Sequence, residues 1–167
     1  MKKILYISLF SISTVLFIAC GAYGFSGVNT DADSIQIDFF PNQAQLVEPV
    51  LTQRFTNDLI DLFTRQTNLE PATSNGDLHL SGEITDYRVT PMSGTADQTA
   101  AQNRLTVTIN VRFTNKLNEK DDFEKNFSFY ADFPANAQLV GGVLETALDE
   151  IVERITQDIF NATVAKW

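Results

Sequence analysis

Strict alternation between apolar and polar side chains over residues 105–113 constrains this chain more than any other feature. Leu105, Val107, Ile109, Val111 and Phe113 alternate with Thr106, Thr108, Asn110 and Arg112. Successive side chains of a β-strand point to opposite faces of a sheet, so the segment predicts a strand with one side on a hydrophobic core. The other side is predicted to face solvent or a polar partner.

Three further strands are predicted, at Ile35–Phe39, from Leu78 onwards and at Phe123–Phe133. Within the one that begins at Leu78, the apolar phase slips between Ile84 and Tyr87. A slip of one residue turns every later side chain to the opposite face, so we predict a β-bulge near Ile84–Asp86.

The segments between these strands are short of apolar residues. Thr90 to Ala101 are predicted to form a long polar loop, and residues 115–122 a charged hairpin loop.

Two segments show helical rather than strand periodicity. One begins at Pro49 and ends near Asn68, with an apolar stripe formed by Leu51, Phe55, Leu59 and Leu62. The other begins at about Asn136 or Gly142, with its stripe formed by Leu144, Leu148, Ile151, Ile155 and Ile159.

The predicted order of elements is β-α-β-β-β-α. Two apolar helix faces need a sheet to cover, and the sheet offers one apolar face. The expected fold is therefore of the α+β class: a two-layer α/β sandwich with both helices on one face of a four-stranded sheet. It occupies residues 34–167.

The N-terminal residues have the pattern of a signal peptide. Lys2 and Lys3 precede an apolar stretch from Ile4 to Ala19, and the chain's one cysteine, Cys20, follows directly. We predict a signal peptide at 1–19, lipidation of Cys20 with palmitate-type acyl chains, and a lipidated tether at 20–33. The alternative is an ordinary secretory signal followed by a chance cysteine.

The charge of the chain restricts its partners. The formal net charge is −9, which makes nucleic acid an unsuitable partner. Basic residues are concentrated between Arg88 and Lys125, where a local positive patch is possible.

Residues that support catalysis or metal binding are scarce. His79 is the only histidine, and the alternation places it on the polar face of a strand. No serine has an evident base nearby, and no zinc-type cluster or phosphate-binding glycine loop is present. Asp121 and Asp122 could hold a hard cation, but interleaved lysines favour a solvated hairpin tip. We therefore expect no enzyme activity, no metal and no cofactor.

Several short segments resemble the lipopolysaccharide-assembly lipoprotein family (LptE). They are Cys20 to Gly27 (CGAYGFSG), Phe39 to Asn42 (FFPN), Gln66 to Leu69 (QTNL), Gly76 to Leu78 (GDL), Asn103 to Thr108 (NRLTVT), Tyr130 to Phe133 (YADF) and the closing helix from Ile151 to Trp167. The resemblance covers the whole chain after the signal peptide, with the same order of elements.

The resemblance implies a function and a location. Such lipoproteins lie at the inner leaflet of the outer membrane and face the periplasm. They insert as a plug into the β-barrel translocon LptD, help it to assemble, and contact lipopolysaccharide during its delivery to the cell surface.

Contact with an anionic glycolipid requires positive charge, and the candidates chosen on charge are Arg88, Arg104, Lys116 and Lys120. They could equally be solvated charges at strand ends. The alternative function is a lipoprotein scaffold for another envelope machine, or a carrier of small apolar ligands. A carrier requires an apolar cavity between the helices and the sheet.

Overall fold

In the computed structural model, which describes residues 30–92 and 101–164, two helices pack on one face of a mixed sheet. The strands are β1 (Ser34–Ile37), β2 (Glu70–Ala72), β3 (Leu78–Met92), β4 (Gln102–Asn115) and β5 (Phe123–Pro134), and the helices are α1 (Pro49–Gln66) and α2 (Gly142–Thr163). The α+β class and the packing of both helices on one face of the sheet agree with the sequence prediction.

The sheet has five strands, in the order β2-β1-β3-β4-β5, where four were predicted. The additional strand, β2, pairs in parallel with β1 through Glu70, Pro71 and Ala72. β2 has only three residues, one of them a proline, so its sequence shows no alternation of apolar and polar side chains. The strand is held by backbone pairing with β1 and not by burial of an apolar face of its own. β1 is also parallel to β3, whereas β3, β4 and β5 form an antiparallel meander.

The predicted bulge is confirmed. Ile84 pairs with Ile109 and Asp86 with Thr108, so Thr85 is the extra residue of β3. Because of this one inserted residue, Ile84 and Tyr87 both remain on the core side.

The loop between β3 and β4 is shorter than predicted. Thr90 pairs with Arg104 and Met92 with Gln102, so the ladder continues where the loop was expected to begin. The side chains in this part of the ladder are mostly polar, so the sequence shows no apolar alternation there. Backbone pairing does not require apolar residues, and the strands therefore continue. The part of the predicted loop at 93–100 lies outside the described residues.

The end of β1 also differs from the prediction, which placed Phe39 on the core. Phe39 is 62% exposed and Phe40 is fully buried. β1 ends at Ile37, and the chain then runs beside β3, where the amide of Asp38 donates to Leu80 and that of Ile84 to Pro41. The alternation stops there, so Phe40 rather than Phe39 turns inward.

The two helices run side by side in the same direction. Arg54 near the start of α1 pairs with Asp149 near the start of α2, and Phe63 packs edge-on against Phe160 with ring centroids 5.1 Å apart. Both helices therefore begin at the end of the sandwich where β3 finishes and β4 starts. We call this the hairpin end, defined by Met92 and Gln102.

The opposite end is where the described chain enters. Thr30 and Ala32 line a depression there with Leu78, the first residue of β3, and Asn115, the last residue of β4. We call this the entry end. The predicted signal peptide and Cys20 lie outside the described residues, and none of the described helices is long and apolar enough to cross a membrane.

Gly82 of β3 lies close to both β4 and the Phe40 ring of the segment that follows β1. A Cβ atom at Gly82 would lie 2.0 Å from the carbonyl oxygen of Asn110 and 2.7 Å from the Phe40 ring. Phe40 in turn packs edge-on against Phe55 of α1, with centroids 5.1 Å apart. The absence of a side chain at Gly82 thus allows Phe40 to join the sheet to α1.

Replacing Gly82 tests this packing. Gly82→Ala is expected to lower the free energy of unfolding by at least about 1–3 kcal/mol, because backbone and a buried ring must both shift. The measurement is urea unfolding of the purified protein. Gly142→Ala is the matched control, since no heavy atom lies within 4 Å of the added methyl group, and it should change stability by less than about 0.5 kcal/mol. Equal effects of the two variants would contradict the packing described for Phe40.

Candidate functional site

The face of the sheet that the helices leave uncovered is polar, and its side chains bond to one another across the strands. The outward residues of β4 pair with those of β5: Asn110 donates to Asn126 over 2.9 Å, and the hydroxyls of Thr108 and Ser128 lie 2.9 Å apart. These bonds join neighbouring strands directly, so the polar face (the outward residues of β3, β4 and β5) is a connected surface.

Arg112 continues these contacts towards β3. Its Nη2 lies 3.0 Å from Oε2 of Glu83, and its Nη1 lies 3.9 Å from Glu124 of β5. The hydrogen bond to Glu83 raises the pKa of Arg112 above its usual value. One arginine thus links three adjacent strands.

Arg104 forms a bidentate ion pair on the polar face. Its Nε and Nη2 donate to the two carboxylate oxygens of Asp132 over 2.7 and 2.8 Å, and its guanidinium lies 3.6 Å from the centre of the Tyr130 ring. This bidentate geometry is the one that arginine and carboxylate form most favourably. The arginine lowers the pKa of Asp132, and the aspartate raises that of Arg104.

The polar face also contains the only histidine. His79 Nε2 lies 2.8 Å from Oδ2 of Asp38 and 3.3 Å from Nε2 of Gln36. Burial of Asp38 opposes its ionisation, but the hydrogen bonds from Gln36 and His79 outweigh that effect and lower its pKa. The group is a polar contact between β1 and β3.

The acidic hairpin between β4 and β5 is held by hydrogen bonds to Asn115. The Asn115 amide donates to Asp122 over 2.7 Å, and its side chain donates to Asp121 over 3.2 Å. Among the residues that the structure describes, no cluster of histidine, cysteine, aspartate or glutamate could hold a metal ion.

The four basic residues chosen on charge fall into two pairs at opposite ends of the sandwich. Arg88 pairs in register with Thr106, and Arg104 with Thr90, which places both at the hairpin end. Lys116 follows β4 at the entry end, where its ammonium donates to the carbonyl and side-chain oxygens of Asn75, and Lys120 lies in the adjoining turn Glu119–Asp121. The length of β4 separates the two pairs by roughly 35 Å, so the four do not form one patch.

The arginines of the hairpin end both have acidic partners. Arg88 pairs with Asp86, and Arg104 with Asp132. The local charge of the two pairs is balanced, so an anionic group that binds there has to compete with these carboxylates.

Apolar residues at the hairpin end were not anticipated from the sequence. Leu46, Val47, Val50 and Val140 are each more than half exposed, and Leu46, Val47 and Val50 lie around the start of α1 and Val140 just before α2. The amide of Gln43 donates to Ile84 of β3, and the carboxylate of Glu48 adds to the burial that raises the pKa of Tyr87. Residues 43–50 therefore lie along the last part of β3. Helical periodicity marks buried stripes and gives no signal for apolar residues in a loop.

Comparison with known proteins identifies both a family and a fold. The family model described as LptE, Lipopolysaccharide-assembly, matches residues 32–163. No curated protein sequence matches the chain significantly.

Three solved structures of low sequence identity align with the chain. A minor lipoprotein from Acinetobacter baumannii aligns with a TM-score of 0.53 at 9% identity, over 82% of this chain and 94% of that one. The hypothetical protein CT253 from Chlamydia trachomatis gives 0.53 at 9% identity, over 81% and 99%. Lipoprotein B from Nitrosomonas europaea gives 0.51 at 12%, over 80% and 83%. At these identities the likeness shows a shared fold.

From the bidentate pair we predict how the carboxyl group of Asp132 titrates when Arg104 is replaced. In Arg104→Gln the pKa of Asp132 should rise towards the ordinary aspartate value, because the charged donors that favour the carboxylate are gone. Since the native pKa is lowered, the pair stabilises the fold above the ordinary pKa of aspartate and loses this effect as pH falls through the native pKa. The measurement is an NMR titration of the side-chain carboxyl carbon. Arg112→Gln is the control and should leave Asp132 unchanged; the same titration in all three proteins would show that Arg104 does not act on Asp132.

Proposed function

Since the chain belongs to the lipopolysaccharide-assembly family LptE, we propose that it is an outer-membrane lipoprotein that plugs and helps assemble the LptD β-barrel. Family membership supports the role in lipopolysaccharide assembly. Proteins of this family are non-catalytic lipoproteins of the outer membrane that work with LptD and lipopolysaccharide. We further propose how this chain is anchored, which surface meets the barrel and where the glycolipid binds.

The proposed anchor is lipid on Cys20. Residues 1–19 are removed as the signal peptide, residues 20–33 connect the lipid to the fold, and the domain occupies 34–167. An extended chain spans at most about 3.3–3.6 Å per residue, so the ten residues before Thr30 reach no further than roughly 35 Å. The entry end is thereby kept near the periplasmic side of the membrane, with two or three acyl chains supplying the affinity.

The polar face is the surface best suited to a barrel lumen, and it carries the proposal. The interior of a large outer-membrane barrel is polar and wet. A plug needs a rigid surface whose polar groups are already satisfied, because unpaired groups cost free energy when a partner displaces their water. The cross-strand bonds of Asn110 with Asn126 and of Thr108 with Ser128 provide such a surface.

The hairpin end is the proposed contact for lipopolysaccharide. Arg88 and Arg104 offer guanidinium groups to phosphate, and the exposed Leu46, Val47 and Val140 offer apolar contact to acyl chains. The amino-terminal ends of both helices point the same way, which adds partial positive charge. At the entry end, beside Lys116 and Lys120, Leu117 is the one large apolar side chain among the described residues that is more than half exposed.

The alternative functions are less well supported. A carrier of small apolar ligands needs a cavity between the helices and the sheet, but large side chains occupy that space: Phe40, Phe55, Phe63, Phe113 and Phe160 are each at most 2% exposed. A scaffold for a different envelope machine would use the same polar face, and only the identity of the bound partner distinguishes it from the plug.

A matched pair of double variants tests the plug. Asn110→Leu with Asn126→Leu replaces a bonded polar pair by an apolar pair, a change that need not unfold the protein. It should reduce the yield of LptD co-purified from native membranes by at least about fivefold, since the apolar pair faces a wet lumen. The control is Gln53→Leu with Asn57→Leu, both exposed on α1. If the two variants retain the barrel equally, the polar face is not the barrel contact.

A second pair of variants tests the glycolipid contact. Arg88→Gln with Arg104→Gln should weaken lipopolysaccharide binding to the purified protein by about three- to tenfold, as expected for loss of two exposed ionic contacts. Lys116→Gln with Lys120→Gln makes the same charge change at the entry end and should leave the affinity unchanged. An unchanged affinity in the arginine variant would refute binding at the hairpin end.

A further inference from the structure

The two edges of the sheet are built differently. The β2 edge is three residues long and contains Pro71, and both features block pairing with another strand. The β5 edge is twelve residues long, and its one proline is its last residue, Pro134. Natural sheets usually protect long edges, whereas β5 is neither short nor interrupted by an internal proline.

The hydrogen-bond register shows which backbone groups of β5 point away from the sheet. The amide of Ala135 donates to the carbonyl of Ala101 over 3.0 Å, which makes that pair a hydrogen-bonded one. In an antiparallel ladder such pairs alternate with non-bonded pairs. The bonds to β4 are therefore made by Phe133, Ala131, Phe129 and the other odd-numbered residues.

The even-numbered residues of β5 direct their N–H and C=O groups outward. They are Glu124, Asn126, Ser128, Tyr130 and Asp132, which alternate with the residues bonded to β4. Among the described residues, none of their backbone groups takes part in a bond outside the strand ladders. Pro134 also falls on an outward position, where its missing N–H breaks no bond.

The first part of this edge is protected by a charge on the helix-facing side. Lys125 projects on the same side of the sheet as Phe127, and its ammonium lies 5.1 Å from the centre of that ring. An inward-pointing charge of this kind discourages strand addition. From Phe127 to Phe133 the helix-facing residues of β5 are phenylalanine or alanine only.

The unprotected part of the edge lies beside a groove. α2 packs along β5, and two adjoining depressions that share Glu150 separate its flank from the strand. Their floor is apolar (Phe129, Phe133, Val143, Ala147), and Glu150, Glu153 and Arg154 line the wall. The Arg154 guanidinium lies 5.7 Å from the centre of the Phe129 ring and pairs with Asp158. Neither glutamate forms an ion pair with another described residue, so the wall keeps a net negative charge.

We propose that the β5 edge from Phe127 to Phe133 binds an extended segment of a partner protein as a sixth strand. Its backbone bonds to Ser128, Tyr130 and Asp132, and a basic side chain on its helix-facing side meets Glu150 and Glu153. In strand addition, hydrogen bonds of the main chain provide the affinity, and every second side chain provides the specificity. Since Arg154 is already paired with Asp158, the two unpaired glutamates give the groove a net negative charge that favours a basic segment.

A second copy of the chain does not fit the same edge. Two β5 edges related by a two-fold axis would continue the sheet and place both α2 helices on the same side, flank to flank. A two-fold axis near the middle of this edge would bring the two copies of Glu150 together, and like charges in such an arrangement repel. A basic partner strand has no such conflict.

The test uses full-length lipoprotein in detergent micelles with two synthetic peptides. One is an octamer of alternating valine and lysine, and the other has glutamate in place of lysine. We expect the lysine peptide alone to bind and to slow amide hydrogen exchange at Ser128, Tyr130 and Asp132, the residues with outward N–H groups. Fluorescence anisotropy of labelled peptide gives the affinity.

Charge variants separate the groove from the general acidity of the chain. Glu150→Gln with Glu153→Gln should weaken the lysine peptide about fivefold or more. Asp61→Asn with Glu70→Gln makes the same charge change on the other side of the sandwich and should have little effect. In addition, Ser128→Pro should abolish binding where Ser128→Ala retains it, because only proline removes the outward N–H.

Three results would overturn the proposal. They are equal binding of the two peptides, unchanged exchange at the three amides, and self-association of the protein through this edge. None of these results depends on lipopolysaccharide or LptD. Failure of the strand-binding proposal would therefore leave the proposed function unaffected, and the reverse also holds.

Discussion

Burial of one side of β4 is the constraint on which the rest of the structure depends. Leu105, Val107, Ile109, Val111 and Phe113 are each at most 1% exposed. The helices lie parallel on that side of the sheet. Because a strand alternates, the residues between these five must point to the other side, which none of the described elements covers. The polar face is thus a direct consequence of how the core is filled.

Two local features keep the faces separate over the full length of the sheet. The bulge at Thr85 restores the apolar side of β3 after a change of phase, and Gly82 leaves room for Phe40 between sheet and helix. The cross-strand bonds then make the outer face rigid. A surface with satisfied polar groups is suited to a wet protein lumen, whereas the open β5 edge is suited to a strand.

The main elements were predictable because each of their sequence patterns lies within one continuous segment of the chain. Alternation marked β3, β4 and β5, helical stripes marked α1 and α2, and the phase slip located the bulge. β2 was missed because three residues around Pro71 have no pattern of their own. Phe40 was missed because the alternation of β1 stops before it.

The site was less predictable than the fold, because contacts on it depend on register between strands. Arg104 meets Asp132 across 28 residues of sequence, a pairing that no local pattern reveals. The four basic residues chosen on charge are near one another in sequence, but β4 carries one pair away from the other. The partner-facing role of the polar face is an inference from its chemistry and from the family.

The most direct test of that role is the accessibility of the polar face in the membrane. Ser81 lies on that face in the central strand β3 and pairs with Arg112, so Ser81→Cys introduces a small thiol there. The rate of its labelling by a membrane-impermeant maleimide is compared between the purified protein and isolated outer membranes that contain LptD. We expect rapid labelling of the purified protein and at least about tenfold slower labelling in the membranes. Equal rates would mean that the polar face stays in water and that it is not the surface that meets the barrel.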